Sequence, residues 1–168
     1  ATRDGAIWYT GQMINRLGRV DPKTGQNREY PLKSPSTAPH GLVEDKAGNI
    51  WFTGNHIAII GKLDPKSGAV TEYKMPDPKA KDPHSLAFDQ SGILWFTLQQ
   101  SNMIGRLNPG TGEIKLLTPP TPRARPYGIM VNSKGVPFVV LFGTNKIARI
   151  DPRTMEIREY TLPDAKAR

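Results

Sequence analysis

The chain has no cysteine among its 168 residues, so neither a disulfide nor a thiolate metal site can hold it together. That absence fits cytoplasm and periplasm equally. No apolar run approaches the length of a membrane span and no signal peptide is recognisable, so no membrane partner is expected. No segment repeats its apolar residues at helical spacing, which leaves strands as the building material. A nucleophile motif, a phosphate-binding glycine loop, His-x-x-x-His and zinc-ligand spacings are all missing. Acidic residues are the minority, 15 against 23 Lys and Arg, for a net charge of +8. The excess base invites an anionic partner. However, Arg19, Lys62, Arg106 and Arg149 recur at one place in a repeat, so they have a task within each unit. Basic and exposed aromatic residues do not interleave as in a single-strand binder, and no nucleic-acid partner is expected.

What is abundant is punctuation, with 16 Gly and 16 Pro. Gly18-Arg-Val-Asp-Pro22 returns as Gly61-Lys-Leu-Asp-Pro65, Gly105-Arg-Leu-Asn-Pro109 and Ala148-Arg-Ile-Asp-Pro152, at steps of 43, 44 and 43 residues. A fixed period of that length marks a repeat architecture. An aromatic-rich strand keeps the step: Ile7-Trp-Tyr-Thr10, Ile50-Trp-Phe-Thr53, Leu94-Trp-Phe-Thr97 and the degraded Pro137-Phe-Val-Val140. Pro39-His-Gly41, Pro83-His-Ser85 and Pro126-Tyr-Gly128 precede the last three.

One unit reads as four strands. Gly41–Glu44 ends in a turn closed by Gly48, and Asn49–Thr53 is apolar enough to be buried on both sides. Ile57–Leu63 follows a loop, and Asp64-Pro-Lys-Ser-Gly68 is a hairpin turn leading to the polar outer strand Val70–Lys74. Four antiparallel strands per unit of this length make a propeller blade. The expected fold is therefore an all-β propeller with blades at about 1–36 (first strand missing), 37–79, 80–122 and 123–168. Four blades are the lower limit for closure, and an unpaired blade edge is a template for another chain. The expectation is part of a larger ring, completed by more of the same polypeptide or by self-association.

In such blades His40, His84, Asp82, Arg125 and His56 fall at one end of the ring. Imidazole can act as a general base near neutral pH, and convergent polar groups in a concave mouth mark a default site. Competing readings stand beside these. Histidines that recur with the repeat also serve structure, His56 suits a surface loop, Asp82 suits a turn cap before Pro83, and Arg125 suits solvated linker charge. Trp8, Trp51 and Trp95 read as core between blades.

Pro-His-Gly, Asp-x-x-Gly-x-Ile-Trp-Phe-Thr, Ile-Gly-Lys-Leu-Asp-Pro and Glu-Tyr-x-x-Pro together resemble the streptogramin B lyase (virginiamycin B lyase) family over essentially the whole chain. The resemblance implies a seven-bladed ring that opens a cyclic depsipeptide by elimination. It implies a Mg²⁺ ion held by glutamates and a histidine that removes the proton beside the carbonyl. On that reading His40 and His84 are the catalytic candidates, Asp82 the metal ligand, and His56, Tyr127 and Arg125 substrate contacts. Tyr127 stands where a third histidine would, and Asp82 where a glutamate would. Gly11, Gly54 and Leu98 occupy the place after the aromatic strand where the family tends to carry Glu. The substrate would be a small-molecule ester; the alternative is a non-catalytic scaffold for a ligand or protein. Such relatives are often exported by bacteria, so a periplasmic or secreted setting is expected over a cytoplasmic one.

Overall fold

The computed structural model describes residues 1–167, and these are organised as strands and turns without a helix. β1 (Ile7–Gly11), β2 (Arg16–Val20) and β3 (Asn27–Pro31) form a three-stranded sheet. A four-stranded sheet follows, from β4 (Pro39–Glu44), β5 (Ile50–Gly54), β6 (Ile59–Leu63) and β7 (Val70–Lys74). The next comprises β8 (Pro83–Phe88), β9 (Leu94–Leu98), β10 (Met103–Leu107) and β11 (Ile114–Leu117). The last comprises β12 (Pro126–Val131), β13 (Pro137–Leu141), β14 (Lys146–Ile150) and β15 (Ile157–Thr161). Every sheet is an antiparallel meander in chain order, and the first strands β4, β8 and β12 lie side by side. This is an all-β propeller array.

The third strand of the second blade starts at Ile59 instead of the expected Ile57. The chain is still turning there, with Ala58 in the left-handed region at φ 54°. The first strand begins earlier than expected, at Pro39, because a bulge lets it pair on both sides of His40-Gly41.

The core lies between blades. Trp51 and Ile60 of the second blade pack with Leu94, Phe96 and Leu107 of the third, and Trp95 and Ile104 pack with Ile129, Val139 and Ile150 of the fourth. β5 and β9 are buried along their whole length, as their unbroken apolar run requires. β1 departs from that expectation. Ile7 is 45% exposed, since no described sheet covers its far side.

Two pairings explain the repeat's composition. A Cβ on Gly61 or Gly105 would sit 2.0 Å from the ring of Phe52 or Phe96, so the aromatic residue requires glycine across the strand pair. In the fourth blade the smaller Val139 faces Ala148. Likewise the turn carboxylates Asp45 and Asp89 each accept two backbone N–H bonds and an indole N–H, at 2.8 Å from Trp51 and 3.0 Å from Trp95. Where the indole is replaced by Phe138, the turn residue is the uncharged Asn132, which keeps only the backbone bonds. In these three blades the charge is present where a third donor meets it.

The recurring basic residues have local partners. Lys62 and Arg106 lie 5.8 and 5.9 Å over Trp51 and Trp95, Arg19 pairs with Asp4 at 2.8 Å, and Arg149 lies 4.0 Å from Asp151. Trp95→Phe should leave the Asp89 carboxylate one donor short at a cost of about 1–3 kcal/mol beyond packing. Adding Asp89→Asn should recover part of that loss, giving a coupling of at least about 0.5 kcal/mol in denaturant titrations. Strict additivity would refute the pairing.

Candidate functional site

The site is built on a defect in the innermost strands. Pro39 pairs with Gly54 and Leu42 with Phe52, so β4 carries one residue too many, in a bulge that holds His40-Gly41. The same irregularity recurs between Pro83 and Leu86 and between Pro126 and Ile129. A bulge frees a backbone N–H, and the threonine of the aromatic strand takes it. Thr53 Oγ1 accepts from Gly41 N–H at 2.8 Å, and Thr97 Oγ1 accepts from Ser85 N–H at 3.2 Å. Each hydroxyl then donates its own proton to the next blade, Thr53 to the His84 carbonyl at 3.0 Å and Thr97 to the Tyr127 carbonyl at 2.7 Å. Thr10 reaches the His40 carbonyl at 3.4 Å. The backbone of each ring-bearing residue is thereby tied to the blade before it.

The result is a ladder of rings across adjacent blades. His40 and His84 have centroids 4.0 Å apart, His84 and Tyr127 4.3 Å, and Tyr127 and Phe142 5.4 Å. The Arg125 guanidinium lies 5.7 Å from the centre of the Phe142 ring. His40 is exposed while His84 is only 8% exposed, and His84 Nδ1 is 3.1 Å from Ser85 Oγ. Burial lowers the His84 pKa first, and the neighbouring His40 lowers it further, against a smaller opposing pull from Asp82.

Asp82 is also buried and adopts φ 62°, the left-handed conformation shared by Ala38 and Arg125 before their prolines. Its carboxylate accepts a hydrogen bond from the Asn55 side chain, which also reaches the Pro83 carbonyl at 3.3 Å. His56 lies on the same end of the blades but outside the ladder. It lines a cleft between the second and third blades, together with Asp82.

Of the six candidates, then, His84 is in ring contact with both His40 and Tyr127. Asp82 is two residues before His84, Arg125 stands over the far end of the ladder, and His56 is set apart. Sequence reasoning missed Asn55 and Phe142. Both occupy a place filled by Gln12 and Gln99 in the other blades, and that change of residue was the available signal.

The donors do not match a magnesium site by themselves. Among the described residues no three His, Asp or Glu side chains gather as a metal cluster. Gly54 stands where the resembled family tends to carry Glu, yet a Cβ there would come within 2.5 Å of Ile59 and 2.8 Å of Thr37. Leu98 at the next such place is fully buried.

The model of the virginiamycin B lyase family matches residues 1–168. The chain belongs to that family. Virginiamycin B lyase from Staphylococcus aureus is similar at 34% identity and a TM-score of 0.88, with 97% of this chain and 54% of that one covered. A streptogramin B lyase structure is similar at 37% identity and the same TM-score, covering 97% and 53%. A catalytically inactive histidine-to-alanine variant of the S. aureus enzyme, solved with quinupristin, is similar at 35% identity and a TM-score of 0.86, covering 97% and 54%. The chain thus spans about half the length of these solved lyases. No curated protein matches it. A chain of the nidogen/laminin complex, at 18% identity and a TM-score of 0.75, shares the fold alone.

His84 should titrate below the ordinary 6.5 in two-dimensional NMR, and His40→Gln should move it upward. The unfolded chain takes the proton first. The stability contributed by neutral His84 is therefore complete above about pH 6.5 and is lost as pH falls through the folded pKa. A His84 titration at or above 6.5 would overturn the burial argument.

Proposed function

We propose that this chain supplies part of the reactive mouth of a lyase-like propeller that opens an ester bond in a cyclic depsipeptide by elimination. The imidazole pair on the inner strands carries the reading. It is supported by membership of the lyase family and by the relative in which a histidine-to-alanine change accompanies loss of activity.

His84 is the one of the two that the fold places to act as base. A general base must be unprotonated at working pH, and burial beside a second imidazole keeps His84 so. In the tautomer that donates Nδ1–H to Ser85 Oγ, the Nε2 lone pair is free to accept a proton. In the proposed step Nε2 takes the proton beside the carbonyl, the C–H pair becomes the carbon–carbon double bond, and the C–O bond breaks with its electrons leaving on oxygen. His40, exposed and 4.0 Å away, is placed to relay the proton to solvent. Tyr127 and Arg125 line the side of His84 away from His40 and would meet one part of the substrate.

The Mg²⁺ that the family resemblance implies would find one carboxylate here, Asp82, already engaged by Asn55. These four units do not fit such a site alone, and no step is drawn through it. The rest of the ring would come from further blades, and an exported bacterial protein remains the proposed setting.

The alternative, a ligand-binding scaffold, is favoured by the closed Gly54 position. Product mass separates the readings. Elimination gives a linear product with the mass of the ring, hydrolysis adds one water, and a scaffold leaves the ring intact. With quinupristin as substrate, His84→Ala should lower kcat by about 10²–10⁴-fold. Unchanged turnover in both His84→Ala and His40→Ala would end the catalytic assignment.

A further inference from the structure

The junction between the second and third blades lacks the asparagine pin of the other junctions; its linker is held instead by Ser101 Oγ, which accepts from Lys81 N–H at 2.6 Å and donates to the Lys81 carbonyl at 2.9 Å. Asn15 donates to the Ser34 carbonyl and accepts from Thr37 N–H, both at 2.8 Å. Asn102 does the same for Thr121 and Arg125, both at 3.2 Å. The residue at that place in the second blade is Ala58, with the same left-handed backbone. A second clamp is also absent. Glu72 grips Ser34 and Glu159 grips Thr121, whereas Asp77 and Leu116 occupy those places here. The linker is longer too, with one residue more between Glu72 and His84 than between Glu29 and His40 or Leu116 and Tyr127. Ala80 keeps the buried position of Thr37 and Ala124, which makes Lys81 the additional residue.

The missing carboxamide and the longer linker leave an open cleft of about 710 Å³, within the size range of small-molecule sites. It begins at Asp82, beside the histidine ladder, and runs outward to Lys74 at the end of the outer strand. Both flanking blades belong to this chain, so the cleft needs nothing from elsewhere. Its chemistry is specific in a modest way. Two lysines and two aspartates leave it without net charge. The aspartates are engaged, Asp77 by Lys79 N–H at 2.8 Å and Asp82 by Asn55. The Lys74 and Lys81 ammonium groups have no ion-pair partner among the described residues. Spare donors and apolar walls from Ile57 and Met75 suit a peptide-like segment rich in carbonyl acceptors.

We propose that this cleft is the subsite for the peptide portion of the depsipeptide, with Ala58 as the residue that keeps it open. The proposal rests on the lyase reading for its ligand, and its geometry is independent of the chemical step. Restoring the repeat's own residue closes the cleft. Ala58→Asn places a residue tolerant of the left-handed conformation where Asn15 and Asn102 already stand.

The experiment measures quinupristin turnover by the full chain and quinupristin binding by the His84→Ala form, each with and without the Ala58→Asn substitution. The expected result is about a tenfold rise in both KM and Kd, one or two lost contacts' worth, with kcat held and Tm raised by a few degrees. Lys81→Gln should weaken binding in the same direction without raising Tm. Unchanged KM and Kd in Ala58→Asn would overturn the subsite while leaving the lyase assignment intact. Binding that Ala58→Asn weakens, in a protein that never opens the ring, would support the subsite and sink the lyase assignment. A chain that neither binds nor opens quinupristin would sink both.

Discussion

A hydroxyl that both accepts and donates governs this structure. Each buried threonine at the end of the aromatic strand stands between a bulge N–H in its own blade and a carbonyl in the next. An unpaired N–H in the inner strand would cost its full desolvation, and in the second and third blades the hydroxyl spares the bulge that cost. The bulge in turn releases the Pro-His and Pro-Tyr residues from the ladder and sets their rings against one another. Sheet pairing, blade spacing and site geometry thus share one atom. The fourth blade keeps the bulge, between Pro126 and Ile129, without that hydroxyl. Val140 replaces the threonine, is 40% exposed, and has no hydroxyl to offer a neighbour.

The unit boundaries, the strand order and the turn residues were legible because they are local and repeated. Asp64 with Gly68, and Phe52 with Gly61, announce themselves by returning at a constant step. The gathering of His40 and His84 was legible for the same reason, since equal positions in adjacent blades must be neighbours. Three things were hidden. The threonine's role was hidden because its partners are backbone atoms, which leave no mark on composition. His56 was grouped with the other histidines because sequence gives the end of a blade but not the radius at which a loop sits. The reach of Asn55 to Asp82 crosses a blade boundary between residues that do not repeat, so no step pointed to it.

A repeat protein separates structure from function more cleanly than a single-core domain. What the second, third and fourth units share is what stacking demands, as the paired substitutions show: Trp with Asp or Phe with Asn, Phe with Gly or Val with Ala. These changes come in pairs because each partner alone would leave a void, a clash or a buried charge short of a donor. A change at one junction that restores no such balance has a different cause.

The second junction is that case. Ala58 removes two hydrogen bonds that the neighbouring junctions retain, and the linker is tied instead at Lys81, through the Ser101 hydroxyl. Lys81 lengthens a linker whose shorter version suffices elsewhere. Two ammonium groups stand at the edge of the space so formed. Propeller stability would be served by the asparagine, since its left-handed backbone is already in place at φ 54°. Keeping alanine there sacrifices stability next to the one buried histidine of the ladder. A lost pin beside a reactive group is what a site costs a fold, and of the three junctions among the described residues this one alone lacks the asparagine.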